Sequence, residues 1–562
     1  MAELDIRSHL IKNTIINFSD YLRAENIDHA IDSYAAKDTI SKVNNINNQV
    51  VFGRRGTGKT HLMLALRESL IKSFNKNRRL PIYIDLRKIK PLINENLENQ
   101  LLYALIAFQH TIVETFLIIY ENIKFVYDLP IENNSSLIEK FKQQEINEIY
   151  AEFNLGFKGD QIEKLGPVEF TSKEVASLKA SLNLSKDPSA NFGAEASVNQ
   201  EKKTANEKFI SLTNITESLN KLLDLLDVKL MLLIDEWSEI PNTIQPFLAE
   251  LFKRVFIPCK ISFKICAIPY RTKLLRRGEN ENIGLEEGGD IFPFNLDNRY
   301  VFEINKTATR DFYNELLFNH FRVISPAILS GYSKTDISII KKNFINQFLA
   351  NQALSEALIA SGGIPRDFCN LLVNAYDKFL LLKASTNKRI VVKNIRDATT
   401  EWYSTDKKEH VENNPNLKLF LALIIEEVLL KKKKTHFLIP QKYESLDALQ
   451  SLLDLRVIHL RKKGYSHQDI KSVTYNVYSL DYGSYTSLNI AKGNIDTDFV
   501  DSIEMIEDFR DVRRIALDDN FFGRFNLESG SGIKCKFCGN IIDTNHPAYV
   551  KQNLCNHCFE KI

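Results

Sequence analysis

The chain lacks the features that mark membrane, secreted or strongly basic proteins. Its 562 residues carry a net charge of only +2, so any contact with nucleic acid must come from a local basic surface. The first residues have neither the basic start nor the apolar stretch of a secretory signal. The most apolar run, residues 101–120, is interrupted by Gln109, His110 and Glu114. Since those groups would be unpaired in hydrocarbon, the run predicts a buried helix and no membrane span.

Cysteine is also scarce, with seven residues in all. Cys259, Cys266 and Cys369 are scattered through apolar segments and are typical of small buried side chains. The other four form a cluster near the C-terminal end. This usage fits a reducing cytoplasm and argues against a secreted disulfide scaffold. A composition of 44% hydrophobic and 26% charged residues is that of an ordinary globular protein, and the length predicts about three or four domains.

The strongest motif in the sequence is a P-loop. The apolar run Gln49–Phe52 predicts a buried strand that leads into Gly53-Arg54-Arg55-Gly56-Thr57-Gly58-Lys59-Thr60, and a helical pattern follows. Glycines let the backbone curl so that its N–H groups point at phosphate oxygens, at the positive end of the helix. Lys59 is predicted to reach the β- and γ-phosphates, and the Thr60 hydroxyl to bind Mg²⁺. The predicted ATP-binding residues are Gly53, Gly56, Thr57, Gly58, Lys59 and Thr60.

An acidic pair supplies the second half of the predicted site. The apolar run Leu230–Ile234 ends in Asp235 and Glu236. In a parallel α/β sheet, ligands bind outside the carboxyl ends of the strands, so both acids should face the phosphates. By itself such a pair could end a solvated strand. Next to a P-loop, it predicts that Asp235 holds Mg²⁺, directly or through water, and that Glu236 activates the attacking water.

Further strands favour an α/β fold with a parallel P-loop sheet. Pro81–Leu86 follows the P-loop helix, Ile261–Ile268 follows the acidic strand and its helix, and Tyr300–Ile304 could complete the sheet. Strands that alternate with helices indicate right-handed βαβ crossovers.

With these motifs in place, residues ~40–385 resemble the AAA+ ATPases, in particular the origin-recognition and replication-initiator branch and the neighbouring STAND ATPases. The likeness rests on the strand order, the acidic pair and the late segment Gly362–Phe368, which opens an amphipathic helix. The resemblance implies a "sensor 2" role for Arg366 at the γ-phosphate, with an ordinary helix-start arginine as the alternative. It also implies a polar "sensor 1" near Tyr270 or Arg271. An arginine finger would be one of Arg276, Arg277 and Arg299.

The chain departs from that pattern between Lys59 and Asp235, where an insertion at about 88–228 separates the two halves of the site. Its polar part, Ser172–Asn206, is typical of a mobile loop or a polar hairpin. No residue in the insertion indicates a particular chemistry.

After a helical lid, the pattern predicts a winged helix. DNA contact is the functional interpretation of its lysines, which would neutralise phosphates. The alternative is a solvated helix end that is favourable for the helix dipole. The predicted parts are the helices Leu417–Leu430 and Tyr443–Leu453, the strands Arg456–Leu460 and Val473–Tyr478, the basic cluster Lys431–Lys434, and a basic surface loop, Arg461–Tyr465, between the two strands.

The last strong motif is Cys535-x₂-Cys538-x₁₆-Cys555-x₂-Cys558. Two CxxC pairs at this separation predict a Cys₄ zinc site, and four thiolates leave no position for water, so the zinc is structural. A module this short depends on the metal for its stability. Unrelated thiols or a redox pair are the alternative. His546 and His557 could substitute as ligands but are not needed.

The predicted function is an ATP-binding and ATP-hydrolysing switch of low turnover, whose ATP state sets its assembly with itself or a partner protein. The leading version is initiator-like and engages DNA or another nucleic acid through the winged helix, with double-stranded DNA as a candidate partner. The alternatives are a bacterial STAND-type signalling or phage-defence ATPase that acts through protein assembly, and a nucleotide-binding scaffold with little turnover. The predicted parts are a P-loop core at 1–304, a helical lid at 305–400, a winged-helix-like module at 401–492, an acidic linker at 493–530 and a zinc ribbon at 531–562.

Overall fold

The computed structural model describes residues 4–88, 100–127, 212–278, 282–382, 388–466, 473–486, 515–530, 533–542 and 546–562. The polar segment Ser172–Asn206 and most of the insertion lie outside these residues.

Seven strands precede the lid in the part of the chain that is described. They are β1 (Gln49–Phe52), β2 (Arg79–Asp85), β3 (Lys229–Asp235), β4 (Ile261–Ala267), β5 (Leu275–Arg277), β6 (Asn282–Gly284) and β7 (Phe292–Asn295). Five of them form a parallel sheet in the order β2-β3-β4-β1-β7, and β5 and β6 form a separate antiparallel hairpin. The predicted fold class, a parallel P-loop sheet with helices, is confirmed.

Strands β1 to β4 are buried on both faces of the sheet, which explains their near-continuous apolar sequences, whereas the edge strand β7 is mostly exposed. Along β3, Leu232 and Ile234 belong to one core, whereas Met231 and Leu233 belong to the core on the opposite face. Helices cover both faces because alternate side chains of a strand point to opposite sides. The helices before the lid are α1 (His9–Asp20), α2 (Ala30–Ser33), α3 (Lys37–Val43), α4 (Lys59–Lys72), α5 (Phe74–Asn77), α6 (Gln100–Tyr127), α7 (Leu212–Leu226) and α8 (Gln245–Phe256).

The most apolar run of the sequence forms α6, as predicted. Its Phe108 ring lies 6.2 Å from that of Phe252 and 5.7 Å from that of Phe256, both on α8. The run is therefore part of the protein core. Within the described ranges, none of the helices has the length and apolarity needed to cross a bilayer.

The prediction of a strand at Tyr300–Ile304 is wrong. The strand that pairs with β1 on its outer side is β7, in the register Gln49–Phe292 to Phe52–Asn295. Val301 and Phe302 lie in a turn, and Phe302 is buried in the core of the lid. Packing against the lid, and not strand pairing, accounts for this apolar run.

A helical lid follows the sheet. The N-terminal helix α1 also packs against it: the Phe18 ring lies 5.5 Å from that of Phe321, and the hydroxyl of Tyr376 donates to the carbonyl of Ile6 at 2.6 Å. The start of the chain therefore belongs to the core of the lid. The lid helices are α9 (Lys306–Ile324), α10 (Lys334–Lys342), α11 (Phe344–Phe348), α12 (Asn351–Ala360), α13 (Pro365–Leu380) and α14 (Val392–Tyr403).

The next unit has the order of a winged helix, helix–strand–helix–strand–strand. It begins after the short α15 (Glu409–Glu412) with α16 (Pro415–Ile424), which continues as a π-helical segment to Leu430. A three-stranded sheet in the order β8-β10-β9 follows. Its elements are β8 (His436–Pro440), α17 (Asp447–Asp454), β9 (Ile458–Ser466) and β10 (Thr474–Leu480).

Two features of this unit differ from the sequence prediction. Residues 461–465 lie within strand β9 and not in a loop between two strands. Helix α18 (Asp519–Glu528), within the segment assigned to an acidic linker, packs against the unit, with the Phe525 ring 4.8 Å from that of Phe420. Its phenylalanines, which a charge-based interpretation passes over, supply apolar surface to the core.

The chain ends in a small module. Strand β11 (Ile533–Lys534) pairs antiparallel with β12 (Ile541–Ile542), and α19 (Pro547–Gln552) follows. Strand β12 contacts α18 of the winged-helix unit.

Candidate nucleotide and metal sites

Backbone carbonyls of the P-loop contact the side chain of its lysine, Lys59. Gly56 and Gly58 have φ values of +86° and +88°, which favour glycine, and α4 begins at Lys59. The Lys59 side chain is buried, and its Nζ donates to the carbonyl of Gly53 at 2.7 Å and to that of Arg54 at 3.1 Å. A Cβ on Gly53 would lie 2.4 Å from Oγ1 of Thr57, so a larger residue there would require the Thr57 side chain to move. This part of the sequence folds locally as its spacing predicts.

The acidic pair lies at the same edge of the sheet as the P-loop. Asp235 is fully buried, its Oδ2 accepts from the hydroxyl of Tyr83 at 2.9 Å, and its Oδ1 accepts from the backbone N–H of Glu236 at 2.8 Å. Strand β4 separates β3 from β1, which places the acidic strand about 10 Å from the P-loop strand.

Glu236 has an unusual backbone and an unusual environment. Its φ of 56° is left-handed, a conformation that is strained for glutamate. Burial, together with the neighbouring Asp235, raises the pKa of its carboxyl group. A carboxyl whose pKa moves toward neutrality is better suited to accept a proton than an ordinary exposed one.

The donor set fits a magnesium nucleotide. Carboxylate oxygens of Asp235 and the hydroxyl of the half-buried Thr60 are the hard oxygen ligands that Mg²⁺ prefers. The buried ammonium of Lys59 at the N-terminus of α4 suits phosphate.

Beside the P-loop lies a cleft that the sequence analysis missed. It encloses about 480 Å³ of space outside the protein atoms, part of it open to solvent, and the rings of Tyr300 and Phe312 stack 3.6 Å apart in its wall. The wall unites the N-terminal segment, the P-loop and the lid. The resemblance of Arg366 to sensor 2 implied that the lid meets the P-loop, but no motif in the sequence indicates that the N-terminal segment joins them. The lining residues are Tyr34, Ala35, Thr39, Thr57, Gly58, His61, Leu296, Tyr300, Phe312, Leu316, His320, Gly363 and Pro365.

Arg366 lies where the lid meets the P-loop. Its backbone N–H donates to the carbonyl of Gly56 at 3.2 Å, and a Cβ on Gly56 would lie 2.9 Å from Cβ of Arg366. Helix α13 thus begins directly against the phosphate-binding loop.

The other residues that the resemblance singled out have different contacts. Tyr270 and Arg271 form a turn after β4, and Arg271 pairs with Asp454 of the winged-helix unit. Arg299 pairs with Asp38 at 2.9 Å. Arg276 and Arg277 are exposed on the β5–β6 hairpin.

A second charged group at this edge was not predicted. Asp85 is the register partner of Asp235, and the guanidinium of Arg87 pairs with Asp85 at 2.6 Å and with Glu25 at 2.8 Å. Asp85 at the end of β2 was visible in the sequence, whereas Glu25 reaches the site only through the tertiary fold.

The four C-terminal cysteines form one cluster. Their Sγ atoms all lie within 4.8 Å of one another, with Cys535–Cys558 at 3.6 Å and Cys538–Cys555 at 3.7 Å. Sulfurs about 2.3 Å from a central zinc form a tetrahedron with edges of about 3.8 Å, so the spacing fits zinc.

The two CxxC turns repeat the same geometry. The N–H of Phe537 donates to Sγ of Cys535 and that of His557 to Sγ of Cys555, both at 3.4 Å. Gly539, at φ 73°, follows the first turn. Nδ1 of His546 accepts from the N–H of Ala548 as the cap of α19, a role that differs from metal binding.

The basic residues of the winged-helix unit divide into three groups. Arg461 is buried, so its predicted position on a surface loop is wrong. Lys431 pairs with Glu427 at 2.5 Å, and Lys463 pairs with Glu444 at 2.5 Å. Lys432 and Lys462 are exposed.

Three solved structures resemble the chain at low identity. The Aeropyrum pernix ORC1 protein in complex with DNA is 12% identical, with 88% of this chain and 94% of that chain covered and a TM-score of 0.27. Drosophila ORC bound to DNA is 12% identical, with 88% and 94% covered and a TM-score of 0.30. The Aeropyrum pernix ORC2 protein in its ADPNP–ADP complexes is 10% identical, with 83% and 92% covered and a TM-score of 0.29. A search of the curated proteins finds no significant match.

A family profile described as ORC-CDC6-like matches residues 17–357. The matched region contains the P-loop, the acidic pair and most of the residues that line the cleft beside them, and it includes more than half of the chain. The predicted resemblance to the origin-recognition branch of the AAA+ ATPases is confirmed, and the protein belongs to the ORC-CDC6-like family.

Proposed function

We propose that the protein is an ATP-hydrolysing switch of the initiator type that engages duplex DNA through its winged helix. The observation that carries the proposal is the meeting of the P-loop, the Asp235–Glu236 pair and the start of α13 at one edge of the sheet. This arrangement can hold a triphosphate between the core and the lid. The winged-helix unit lies against the same lid, which supports a link between nucleotide and nucleic acid.

In this proposal the P-loop backbone and Lys59 bind the β- and γ-phosphates, and Thr60 and Asp235 hold Mg²⁺. The ion neutralises phosphate charge when it is bound. Glu236 orients the attacking water and accepts its proton. Arg366 contacts the γ-phosphate from the lid. Because ADP lacks this phosphate, the lid gains the contact with ATP and loses it with ADP.

The proposed division of the chain is a core at 1–304, whose first helix packs into the lid, a lid at 305–400, a winged helix at 401–492, against which α18 packs, and a zinc ribbon at 531–562. A second copy or a partner protein would meet the nucleotide site from outside. Arg276 and Arg277, on their exposed hairpin, are better placed to reach a neighbour than Arg299, which pairs with Asp38.

One observation favours the second candidate, a signalling ATPase that acts through protein assembly. Arg461 is buried, and Lys431 and Lys463 pair with glutamates of the same unit. These contacts lower the positive charge that the unit can offer to phosphates. In that case the winged helix is a protein-interaction surface.

Replacing Lys59 with alanine is expected to weaken ATP and ADP binding about ten- to hundred-fold, the usual effect of losing a charge-assisted hydrogen bond. Lys72→Ala, at the exposed far end of the same helix, is the matched control and should bind like the wild type. Titration calorimetry with Mg²⁺ measures both. Unchanged affinity in Lys59→Ala would contradict the P-loop assignment.

DNA binding can be tested at the exposed lysines of the winged helix. The double variant Lys432→Ala/Lys462→Ala is expected to weaken duplex binding and to lower the log–log salt slope by roughly 0.9 for each lost phosphate contact. ATP hydrolysis without DNA should not change. The matched control is Lys76→Ala, an exposed lysine of α5 in the core. Fluorescence anisotropy at several salt concentrations gives the slope.

The same experiment separates the two candidate functions. If the wild type binds no duplex DNA at low salt with ATP and Mg²⁺ present, the initiator-like proposal is wrong. The signalling alternative then predicts that the double variant changes assembly, measured by light scattering with ATP.

A further inference from the structure

A residue of the P-loop joins all three large parts of the protein. Arg54 is only 2% exposed, although it stands between the first two glycines of the loop. Its guanidinium lies 3.1 Å from Oδ1 of Asp297 in the core, 3.3 Å from the carbonyl of Gly362 in the lid and 2.5 Å from Nδ1 of His459 in the winged helix. A buried guanidinium must satisfy its donors, so these contacts determine where Arg54 can lie.

His459, the partner of Arg54 in the winged helix, is held in one protonation state. His459 lies in β9, is 1% exposed, and its Nε2 is 3.1 Å from Oδ1 of Asp481. Burial and the nearby cations Arg461 and Arg54 keep its pKa well below the ordinary value, so the ring is neutral. Nε2–H then donates to Asp481, which leaves Nδ1 to accept from Arg54.

The glycine at position 362 allows the lid and the winged helix to approach each other closely. Gly362 has a φ of 58°, and a Cβ there would lie 2.8 Å from Nε2 of His459. Its carbonyl also accepts from Arg461 at 3.1 Å. Three elements thus converge on the side chain of Arg54.

The backbone of Arg54 also supports the phosphate-binding residues. Its carbonyl accepts from Nζ of Lys59 at 3.1 Å and from Oγ1 of Thr57 at 2.9 Å. A shift of Arg54 would therefore move the groups that the P-loop uses to bind phosphate.

We propose that His459 is a positioning residue for the nucleotide site: the docked winged helix holds Arg54, and through it the P-loop, in the shape that binds nucleotide. This inference rests on the proposed binding of ATP at the P-loop. Coupling between two sites is reciprocal, so bound nucleotide must stabilise the docked winged helix to the same extent. Any partner that pulls the winged helix away from Arg54 would then promote nucleotide release.

His459→Ala is expected to weaken ATP and ADP binding alike, by about five-fold or more, since the P-loop contacts phosphates that both share. His459→Asn places an amide oxygen near the position of Nδ1 and should restore most of the affinity. The control Asp454→Asn alters the contact of the winged helix with Arg271 without touching the P-loop, and it should bind like the wild type.

A second readout separates positioning from a general loss of stability. Hydrogen exchange in β9 should slow on addition of ADP in the wild type and in His459→Asn, but not in His459→Ala. Arg54→Met removes the same contact from the core side. It replaces His459→Ala in both measurements if His459→Ala does not fold. The double variant His459→Ala/Arg54→Met should bind nucleotide no more weakly than Arg54→Met alone, because both substitutions remove the same contact.

Wild-type affinity in both His459→Ala and Arg54→Met, with β9 still responding to ADP, would overturn the inference and leave the proposed function intact. A wild type that binds neither nucleotide would overturn the proposed function, and this inference with it.

Discussion

Replacing Glu236 with glutamine is expected to slow ATP hydrolysis by roughly 10²–10⁴, the usual cost of removing a general base, while ATP still binds. Glutamine keeps the size of the side chain but cannot take a proton from water. Lys59, Thr60 and Asp235 remain, so the phosphates and Mg²⁺ should still be held. Single-turnover hydrolysis and equilibrium ATP binding, measured on the same preparation, check both parts.

Glu239→Gln is the matched control, because Glu239 lies on the turn that follows and pairs with Arg55 at 3.5 Å. Its hydrolysis rate should stay near that of the wild type. Turnover of Glu236→Gln within a few-fold of the wild type would assign the proton transfer to another group. Turnover that is absent in the wild type as well would favour a nucleotide-binding scaffold.

Removing one zinc ligand is expected to unfold the C-terminal module. Cys535→Ser breaks a site whose metal binding contributes about 10–16 kcal/mol in small zinc modules. The apolar core of the module is small, with Ile542 buried and Tyr549 and Ile562 packed beside the cysteines, and it cannot replace that contribution. Metal analysis should fall from one zinc per chain to none, and protease should cut within residues 533–562.

His557→Ala is the control for this prediction, since the four sulfurs by themselves have tetrahedral spacing. It should keep its zinc, and X-ray absorption should show four sulfur ligands. A nitrogen or oxygen ligand would contradict the all-cysteine site. ATP hydrolysis should survive in Cys535→Ser, because the described part of the module packs against α18 of the winged-helix unit. Loss of both zinc and hydrolysis would mean that the ribbon supports the core.

The two sites could be predicted from sequence because their parts are local. The strand, loop and helix of the P-loop are contiguous, and Gly56 and Gly58 are required by the backbone angles of the loop itself. The CxxC turns are equally local. Asp235 could be assigned because the end of a buried parallel strand has a known position relative to ligands.

Other predictions failed where burial depends on distant segments. Phe302 lies in an apolar run whose pattern predicts a strand, yet its side chain is buried in the core of the lid. Arg461 has a basic neighbourhood in the sequence, yet it is buried against the carbonyl of Gly362. Composition indicates that a residue can be buried or charged, but not which neighbour it meets.

The sequence by itself determined the local motifs, which are a P-loop, an acidic strand end and two CxxC pairs with the spacing of a metal site, together with the likeness to the ORC-CDC6-like family. Only the tertiary structure decided how these parts meet. It brought Tyr34 of the N-terminal segment into the cleft beside the P-loop and placed His459 against Arg54, 405 residues away in the chain. The physical reason is the distance along the chain over which each kind of interaction acts. Backbone geometry and metal spacing depend on neighbouring residues, whereas contacts between units depend on which buried polar groups find partners when the whole chain folds.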